Sequence, residues 1–251
     1  MIVSGPVSSN RLGKCIYINN IPHKACTFSC VYCKYGPTLN RDIVPRPFYL
    51  PDQIVSEVED RMESLHSSEK DLDYIAFVSS GEPTLDVNLG KTIEKLRSFG
   101  IRIAVLSNAS LIWQPEVREQ LAGVDCAFFK LDAVTEKEWM LTNQPHRDIK
   151  LDKILAGLKL FAATYDGCIL TETVLVSGVN DDVETLTKTA EYLGSLIPDK
   201  AFLSTSLFSQ DSVQLSTPLE DCFDKSYRIF KQHLPQIQCR FGHRSDFCID
   251  D

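Results

Sequence analysis

The sequence predicts an α/β protein built on a parallel sheet, and two observations lead to this class. Short apolar runs of strand character alternate with amphipathic segments along most of the chain, which is the pattern of βαβ units. Segments rich in Gly, Ser, Asn and acidic residues follow the predicted strands, and ligands bind at the carboxyl ends of parallel strands. We therefore expect about six parallel strands with one active site at their carboxyl ends.

The predicted elements follow from apolar runs and periodicity. The strands are predicted at 15–19, 73–79, 101–107, 127–131, 168–176 and 201–207. The first helix follows Asp52 and has an apolar stripe of Ile54, Val55, Val58, Met62 and Leu65. Further helices are predicted at 87–99, 115–121, 151–165 and 182–196. Residues 1–14 are polar and turn-rich, so we expect turns there. Periodicity alone does not decide between an open doubly wound sheet and an incomplete barrel.

Length, charge and cysteine content limit the class of protein. A chain of 251 residues is long enough for one large α/β domain. The net charge of −8 does not indicate broad electrostatic binding to nucleic acid, although a local basic patch is compatible with it. The sequence has no apolar run that would span a bilayer and no signal-peptide pattern, so we expect a cytoplasmic protein without membrane contact. Nine cysteines then indicate reduced thiols and metal ligation.

The strongest local signal is a group of three cysteines, Cys26, Cys30 and Cys33, spaced C-x3-C-x2-C. Such close spacing suits one shared metal centre. Three ligands are one fewer than a structural zinc site or an ordinary [4Fe–4S] cluster uses, which favours a cluster with one open iron. Two alternatives remain at this point: buried apolar thiols, or a zinc site completed by His23 or a distant cysteine.

Two segments after predicted strands carry groups suited to a polar ligand. Gly81 allows close approach of the backbone, and the carboxylate of Glu82 could bind an ammonium group. Ser107 and Asn108 offer short hydrogen-bonding side chains for a ribose or a carboxylate. The alternative for Ser107 and Asn108 is a helix N-cap.

Charged residues also occur in and after the next two predicted strands. Lys130 and Asp132 could contact a ligand, or they could form a surface ion pair. Glu172 and Thr173 lie within a strand, where a period of two could turn either side chain toward the interior of the sheet.

These motifs together resemble the radical S-adenosylmethionine (radical SAM) superfamily, in which an aromatic residue such as Tyr32 precedes the last cysteine of the trio. The segment around Glu82 resembles the superfamily's "GGE" segment, with Ser80 in place of the first Gly. Within the superfamily, the chain is similar to short radical SAM proteins related to the wyosine-type tRNA synthases. The matching segments, in order, are 5–13, 18–22, 26–33, 80–85, 130–133 and 174–181.

The resemblance implies a partial (β/α)6 barrel, in a single domain over 1–251 with a C-terminal extension from about 218. It implies a [4Fe–4S] cluster held by Cys26, Cys30 and Cys33, with S-adenosylmethionine on the fourth iron. The residues expected to bind that cofactor are Tyr32, Gly81, Glu82, Pro83, Ser107, Asn108, Lys130 and Asp132. Reduction by a donor such as flavodoxin or ferredoxin would cleave the cofactor to a 5′-deoxyadenosyl radical, and such a cluster is oxygen-sensitive. No catalytic side chain is predicted.

The resemblance favours a tRNA base as substrate, with a small metabolite or a peptide as the alternative. A non-catalytic zinc or iron–sulfur protein is the alternative from another class. Wyosine-forming enzymes have further cysteines ahead of the trio, whereas this chain has Cys15 alone there, which argues against the wyosine reaction itself. The polar residues that could form a basic mouth over the radical are Ser9, Asn10, Arg11, Lys34, Tyr35, Arg41 and Arg46.

The cysteines of the C-terminal extension give a weaker signal. Cys222, Cys239 and Cys248, with His243 nearby, could ligate an auxiliary cluster, although their spacing matches no compact metal site.

Overall fold

In the described part of the chain, eight strands form one sheet, and their order across the sheet is their order along the chain. The computed structural model describes residues 1–66, 71–205 and 220–240. Its strands are β1 (Val3–Ser9), β2 (Gly13–Ile18), β3 (Tyr74–Phe77), β4 (Arg102–Ser107), β5 (Cys126–Lys130), β6 (Cys168–Leu175), β7 (Lys200–Thr205) and β8 (Ile237–Arg240). Its α-helices are α1 (Pro51–Ser64), α2 (Leu89–Leu96), α3 (Pro115–Ala122), α4 (Glu136–Asn143), α5 (Leu151–Ala162), α6 (Val183–Ser195) and α7 (Glu220–His233).

The strand order decides between the two sheet types that the sequence left open. Strands β2 to β8 are parallel, and β1 pairs with β2 in the antiparallel direction. In a doubly wound sheet the order reverses at a switch point, whereas here it runs without reversal. Right-handed crossovers then place the connecting helices on one face of the sheet. The other face becomes the interior of a partial barrel, and the predicted α/β class is confirmed.

Alternate strand residues pack into two separate apolar clusters. Ile16, Ile18 and Phe77 belong to the large cluster that also contains the buried residues of the helices. Tyr17 and Phe128 belong to a smaller cluster formed almost entirely by strand residues, which fills the barrel interior. This alternation is the period of two expected for strands that are buried on both faces. The interior cluster forms an apolar floor beneath the carboxyl ends of the strands.

The six predicted strands correspond to β2 to β7, and the predicted helices correspond to α1, α2, α3, α5 and α6, with shifts of a few residues at their ends. The expectation of turns at 1–14 is wrong, because β1 forms there. Pro6 argues against a strand in sequence, but β1 is an edge strand, and its pairing register shifts between Ser4 and Val7. Edge strands and irregular registers are the places where a sheet tolerates proline.

Helix α4 was not predicted because its sequence has no clean apolar stripe. Trp139, Thr142 and Asn143 are buried, while the apolar Met140 and Leu141 are exposed. A helix whose buried residues are partly polar and whose exposed residues are partly apolar gives little periodic signal. This helix nevertheless ends beside the three-cysteine loop, so the sequence did not predict which residues contact that loop from α4.

The predicted C-terminal extension contains α7 and β8. Phe223 and Phe230 of α7 are buried in the large apolar cluster, and β8 pairs in parallel with β7. The division into a domain and an extension stays a prediction. Residues 206 and 207 of the last predicted strand lie outside the described residues, as do His243, Cys248 and the side chains of Cys222 and Cys239. In the described part of the chain, none of the helices combines the length and the apolar character needed to cross a membrane.

Candidate active site

The three cysteines lie on an irregular segment, here called the thiol loop (residues 26–33), which follows β2 and the short connection after it. The N–H of Cys33 donates to the carbonyl of Cys30 at 3.0 Å, which closes a tight turn between them. The N–H of Ser29 donates to the carbonyl of Asn143 at 3.0 Å, and the N–H of Val31 donates to the carbonyl of Thr142 at 2.9 Å. Because the last carbonyls of a helix have no partner within it, the end of α4 holds the thiol loop in place.

Amide groups are directed at two of the three sulfurs. The side-chain N–H of Asn108 lies 3.6 Å from the sulfur of Cys26, and that of Asn143 lies 3.3 Å from the sulfur of Cys30. Burial, together with nearby negative groups, raises the pKa of Cys26 and that of Cys30 to about 12. Metal ligation requires thiolates, and N–H donors at the sulfurs stabilise the negative charge that ligation leaves there.

The chemistry of this donor set fits an iron–sulfur cluster. Among the described residues, no group of three or more His, Cys, Asp or Glu side chains converges so as to hold a metal ion. In a four-iron cluster each cysteine binds a different iron, so the three sulfurs do not have to converge on one point. His23, which the zinc alternative would use, is exposed. Cys26, Cys30 and Cys33 are the residues that would hold the cluster, and this role stays a prediction.

Gly81 lets the backbone after β3 touch the thiol loop. A Cβ at Gly81 would lie 1.8 Å from the carbonyl oxygen of Ala25 and 2.9 Å from a methyl carbon of Ile21. The N–H of Glu82 donates to that same Ala25 oxygen at 3.0 Å. The sequence indicated that Gly81 permits close approach of a ligand. In the structure the close approach is made by the neighbouring loop.

Glu82 is a buried carboxylate that protein donors hold in one orientation. Its Oε1 accepts hydrogen bonds from the Thr84 N–H (3.1 Å), the Thr84 hydroxyl (2.6 Å) and the Ser107 hydroxyl (2.7 Å). Its Oε2 accepts one from the Asn108 N–H at 2.8 Å. Burial raises the pKa of Glu82 above its usual value, and the four hydrogen bonds oppose that shift. Ser107 and Asn108 therefore position this carboxylate.

The alternative interpretation of Ser107 and Asn108 as a helix N-cap is wrong. The next helix, α3, begins at Pro115, and Ser107 and Asn108 are separated from it by a turn. The Asn108 backbone N–H contacts Glu82, and its side chain contacts Cys26 and also donates to the Thr27 hydroxyl at 2.9 Å. Asn108 thus links the end of β4 to both neighbouring loops.

Pro83 begins a short 3-10 turn at Pro83–Leu85 and is buried. Its carbonyl accepts a hydrogen bond from the Asn20 side chain at 3.2 Å, and the same amide group lies 3.2 Å from an oxygen of Asp86. The Ser79 hydroxyl donates to the amide oxygen of Asn20 at 2.5 Å. Asn20, which sequence reasoning did not select, therefore ties the end of β2 to the turn that carries Glu82.

Tyr32 and Asp132 form a second buried polar centre. The Tyr32 hydroxyl donates a short hydrogen bond to Oδ2 of Asp132, and the Asn143 amide donates to the same oxygen at 2.6 Å. Oδ1 of Asp132 accepts the Val174 N–H at 2.8 Å. Burial raises the pKa of Asp132, which is only 2% exposed. A surface ion pair with Lys130 is therefore excluded, because Asp132 is not at the surface.

Asn143 joins these two centres and is the main residue that sequence reasoning missed. Its side chain contacts both Asp132 and the sulfur of Cys30. It lies in α4, and a helix without a periodic signal gives no reason to select one of its polar residues. Asn180, in the segment 174–181 that the sequence singled out, donates to the carbonyls of Asp132 and Val174 at 2.9 Å each. Asn180 thus supports the loop that carries Asp132.

Glu172 faces the barrel interior, whereas its neighbour Thr173 donates its hydroxyl hydrogen to a backbone carbonyl. The carboxylate of Glu172 pairs with Arg11, accepts the Ser204 hydroxyl at 2.8 Å and lies 3.9 Å from the ammonium of Lys130. Burial raises the pKa of Glu172, but the charges of Arg11 and Lys130 outweigh it and leave that pKa below its usual value.

Arg11, Glu172 and Lys130 form a layer of charged side chains, and Lys130 is the member that reaches the thiol loop. The Lys130 ammonium lies 4.8 Å from the centre of the Tyr32 ring, within the range of a cation–π contact. A charged layer, with Arg11 and Glu172 almost fully buried and Lys130 partly exposed, therefore lies between the apolar floor of the barrel and the thiol loop.

Comparison with known proteins gives matches over most of the chain. Residues 20–190 match the radical SAM superfamily. A UPF0026 protein of Methanocaldococcus jannaschii is 42% identical over 231 residues, which cover 92% of this chain and 71% of that protein. The solved structure of TYW1 with a lysine–pyruvate adduct bound has a TM-score of 0.64 at 16% identity, over 87% of this chain and 73% of that one. SuiB of Streptococcus suis bound to S-adenosylmethionine has a TM-score of 0.64 at 11% identity, over 89% and 49%.

The fold and the site define a class of protein, a partial α/β barrel with a loop of three thiols at the carboxyl ends of its strands. The two structural likenesses support the fold alone. The sequence match covers more than half of the chain, and the chain belongs to the radical SAM superfamily. It is therefore an enzyme, and the non-catalytic alternative is set aside. Membership implies a [4Fe–4S] cluster and S-adenosylmethionine, which the enzyme cleaves to start radical chemistry.

Proposed function

We propose that this radical SAM enzyme modifies a base of a tRNA. The observation that carries the proposal is the surface next to the thiol loop, where the Lys34 ammonium lies 4.8 Å from the ring centre of Tyr35 and the Tyr35 side chain is 39% exposed. Exposed aromatic rings stack on unpaired bases, and adjacent cations contact phosphates. The ordered resemblance of the motifs to proteins related to wyosine-type tRNA synthases supports the same substrate class.

In this proposal the chain's own residues bind and orient the reacting groups. Glu82 would bind the ammonium of the S-adenosylmethionine methionine group through Oε2, which among the described residues accepts a hydrogen bond from Asn108 alone. Tyr32, Lys130 and Asp132 form the wall between the thiol loop and the barrel interior. When bound, the cluster and the cofactor would supply a 5′-deoxyadenosyl radical. The buried floor of the barrel would keep water and stray hydrogen donors from that radical.

The enzyme also needs an electron donor, and we propose a small redox protein such as flavodoxin or ferredoxin. The three cysteines are partly exposed, which is compatible with electron transfer from a docked partner. The same exposure would make the cluster oxygen-sensitive, so the protein is expected to need anaerobic handling.

A small metabolite or a peptide is the second candidate substrate, and the charged layer of the barrel favours it. Arg11, Lys130 and Glu172 meet inside the barrel, where a compact substrate with carboxylate or ammonium groups could bind. The net charge of −8 is also compatible with a substrate that is not a polyanion.

Binding of bulk tRNA across a salt series distinguishes the two candidates. Contact with three phosphates predicts a slope of about −2 to −3 in a plot of log K against log salt. The variant Lys34→Met should reduce this slope by about one contact, whereas Lys91→Met, which removes the same charge from an exposed position on α2, should not. No measurable binding at low salt would reject the tRNA proposal. Transfer of deuterium from a labelled candidate substrate into 5′-deoxyadenosine would then test the metabolite or the peptide.

A further inference from the structure

A cavity of about 610 Å³ lies beside the thiol loop. Its walls come from residues 22–25, immediately before Cys26, and from residues 40–42, 46 and 48, after the loop. The N–H of Asp42 donates to the carbonyl of Cys26 at 3.1 Å, and the N–H of Arg46 donates to the carbonyl of Leu85 at 2.8 Å. These backbone hydrogen bonds fix the cavity against both the thiol loop and the turn that carries Glu82.

Lys24 lines this cavity and has an unusual environment. Its ammonium nitrogen is shielded from solvent and has no hydrogen-bond partner in the described part of the chain. A buried charge without a counter-charge is costly, and proteins rarely keep one unless it is paired in a functional state. An anion in the cavity would supply the counter-charge that Lys24 lacks among the described residues.

The other charged groups of the cavity leave an excess of positive charge. Arg46 pairs with Asp42, and its guanidinium lies 5.0 Å from the ring centre of Phe48. Arg41 donates to the carbonyl of Gln144 at 3.1 Å, which directs its charge along one wall without neutralising it. With Asp42 as the acid in the lining, Lys24, Arg41 and Arg46 leave two positive charges, counting histidine as neutral.

We propose that this cavity binds a phosphate group, with Lys24 as the central ligand and Arg41 beside it. Two positive charges match a phosphate monoester dianion, and a guanidinium and an ammonium are the side chains that bind phosphate most strongly. The volume of about 610 Å³ exceeds what a phosphate alone needs, which leaves room for a larger molecule that carries the phosphate. Because the cavity lies next to Cys26, that molecule is held close to the place where the radical would form.

The inference extends the proposed function, on which its biological meaning rests, by placing one substrate phosphate in a specific cavity. The phosphate could come from RNA or from a free phosphorylated metabolite. The test uses the full-length protein, anaerobically reconstituted, and titrates it with inorganic phosphate. The variants are Lys24→Met, which keeps the shape of the side chain without its charge, and Lys24→Arg, which keeps the charge. Lys91→Met is the control for net charge.

The wild type should bind phosphate saturably, and the melting temperature should rise with phosphate concentration. Lys24→Met should weaken that binding by about tenfold or more, the effect of losing one charged hydrogen bond. Lys24→Arg and Lys91→Met should bind within about twofold of the wild type. In phosphate-free buffer, Lys24→Met should melt no lower than the wild type, because it removes an unpaired buried charge. Absence of saturable binding in the wild type, or equal binding in Lys24→Met, would overturn the proposal.

Binding of S-adenosylmethionine and of tRNA to the same variants distinguishes the cofactor, RNA and a phosphorylated metabolite as the ligand of Lys24. If Lys24→Met weakens S-adenosylmethionine binding and leaves phosphate binding unchanged, Lys24 serves the cofactor carboxylate and the proposal is wrong. If tRNA does not bind while phosphate binds through Lys24, the site stands, the RNA substrate fails, and a phosphorylated metabolite is the source. If tRNA binds equally well to the wild type and to Lys24→Met, the RNA substrate stands and this assignment of Lys24 fails.

Discussion

Six cysteines have described side chains, three near the amino ends of the strands and three in the thiol loop at the carboxyl ends, and the contrast between the two groups shows what makes a thiol a candidate ligand. Cys15, Cys126 and Cys168 lie near the amino ends of β2, β5 and β6, in or against the interior apolar cluster. Burial raises the pKa of Cys15 to about 12, the same value as for Cys26 and Cys30 at the carboxyl end. A raised pKa is therefore not enough to mark a thiol as a candidate ligand, because Cys15 shares it with two cysteines of the thiol loop.

The two groups of cysteines differ in backbone conformation and in the hydrogen-bond donors near their sulfurs. The amino-end cysteines occupy regular strands, and Cys126 is paired directly with Cys168 across β5 and β6. The Cys15 thiol contacts backbone carbonyls, those of Leu12 at 3.7 Å and Gly13 at 3.5 Å, and all three side chains pack in or against the interior apolar cluster. The thiol loop is irregular, and the amides of Asn108 and Asn143 contact two of its sulfurs. We infer that the amino end stabilises the fold and the carboxyl end carries the chemistry, as in other α/β barrels.

The largest effect on stability is expected from the apolar floor. Phe128 is buried in the interior, with its ring centre 5.7 Å from that of Phe202. Phe128→Ala should lower the free energy of unfolding by about 3–5 kcal/mol, because it leaves a cavity. Chemical denaturation measures this loss. The iron content of the protein that remains folded should match the wild type, and a proportional loss of iron would contradict the separation of the two ends.

A smaller loss of stability, coupled to loss of iron, is expected at Gly81. Gly81→Ala would force the Ala25 backbone away and should cost about 3 kcal/mol. Unlike Phe128→Ala, it should also reduce the iron bound per folded molecule, because Ala25 adjoins the thiol loop. Gly123→Ala is the matched control: a Cβ there would meet its nearest neighbour at 3.3 Å. Normal iron binding by Gly81→Ala would show that the packing of the two loops does not position the cysteines.

The charged layer predicts a pH-dependent effect. Glu172→Gln should lower the free energy of unfolding at pH 7 by about 2 kcal/mol, because Arg11 and Lys130 lose their counter-charge. The pKa of Glu172 is lowered in the folded state. The stabilisation is therefore present above the unfolded pKa of about 4.3 and is lost as the pH falls through the folded value. Urea denaturation should show that the difference in free energy of unfolding between wild type and variant becomes smaller below about pH 4. A difference that does not change with pH would mean that charge is not the cause.

The smallest effect is expected at Tyr32. An aromatic ring beside a cofactor would tolerate Tyr32→Phe, but the structure gives the hydroxyl a buried partner, Asp132. Losing that donor should cost about 1 kcal/mol. Asn143 still donates to the same oxygen, which limits the loss. Thermal denaturation measures the change. A loss as large as that of Phe128→Ala would place Tyr32 among the residues that stabilise the fold.

Local patterns in the sequence predicted the sheet and the thiol loop, because strands and close cysteine spacing are local features. Contacts between distant parts of the chain were not predictable in this way. Arg11 and Glu172 are 161 residues apart, and neither residue indicates the other. The sequence around Gly81 gives no sign that its backbone packs against the carbonyl oxygen of Ala25, and the predicted approach to a ligand stays a prediction. Asn143 was missed because its helix has mixed polarity on both faces. The site was therefore predictable as a list of loops, but its hydrogen bonding was not.

Iron content and 5′-deoxyadenosine release in Cys30→Ala and Cys126→Ala test the central claim most directly. After anaerobic reconstitution, the wild type and Cys126→Ala should each hold about four irons per chain, the content of one [4Fe–4S] cluster. When a chemical reductant and S-adenosylmethionine are then added, both proteins should release 5′-deoxyadenosine. Cys30→Ala should lose the cluster absorbance and the release of product while remaining folded. Equal loss of iron in both variants, or full activity of Cys30→Ala, would contradict the assignment of chemistry to the carboxyl end.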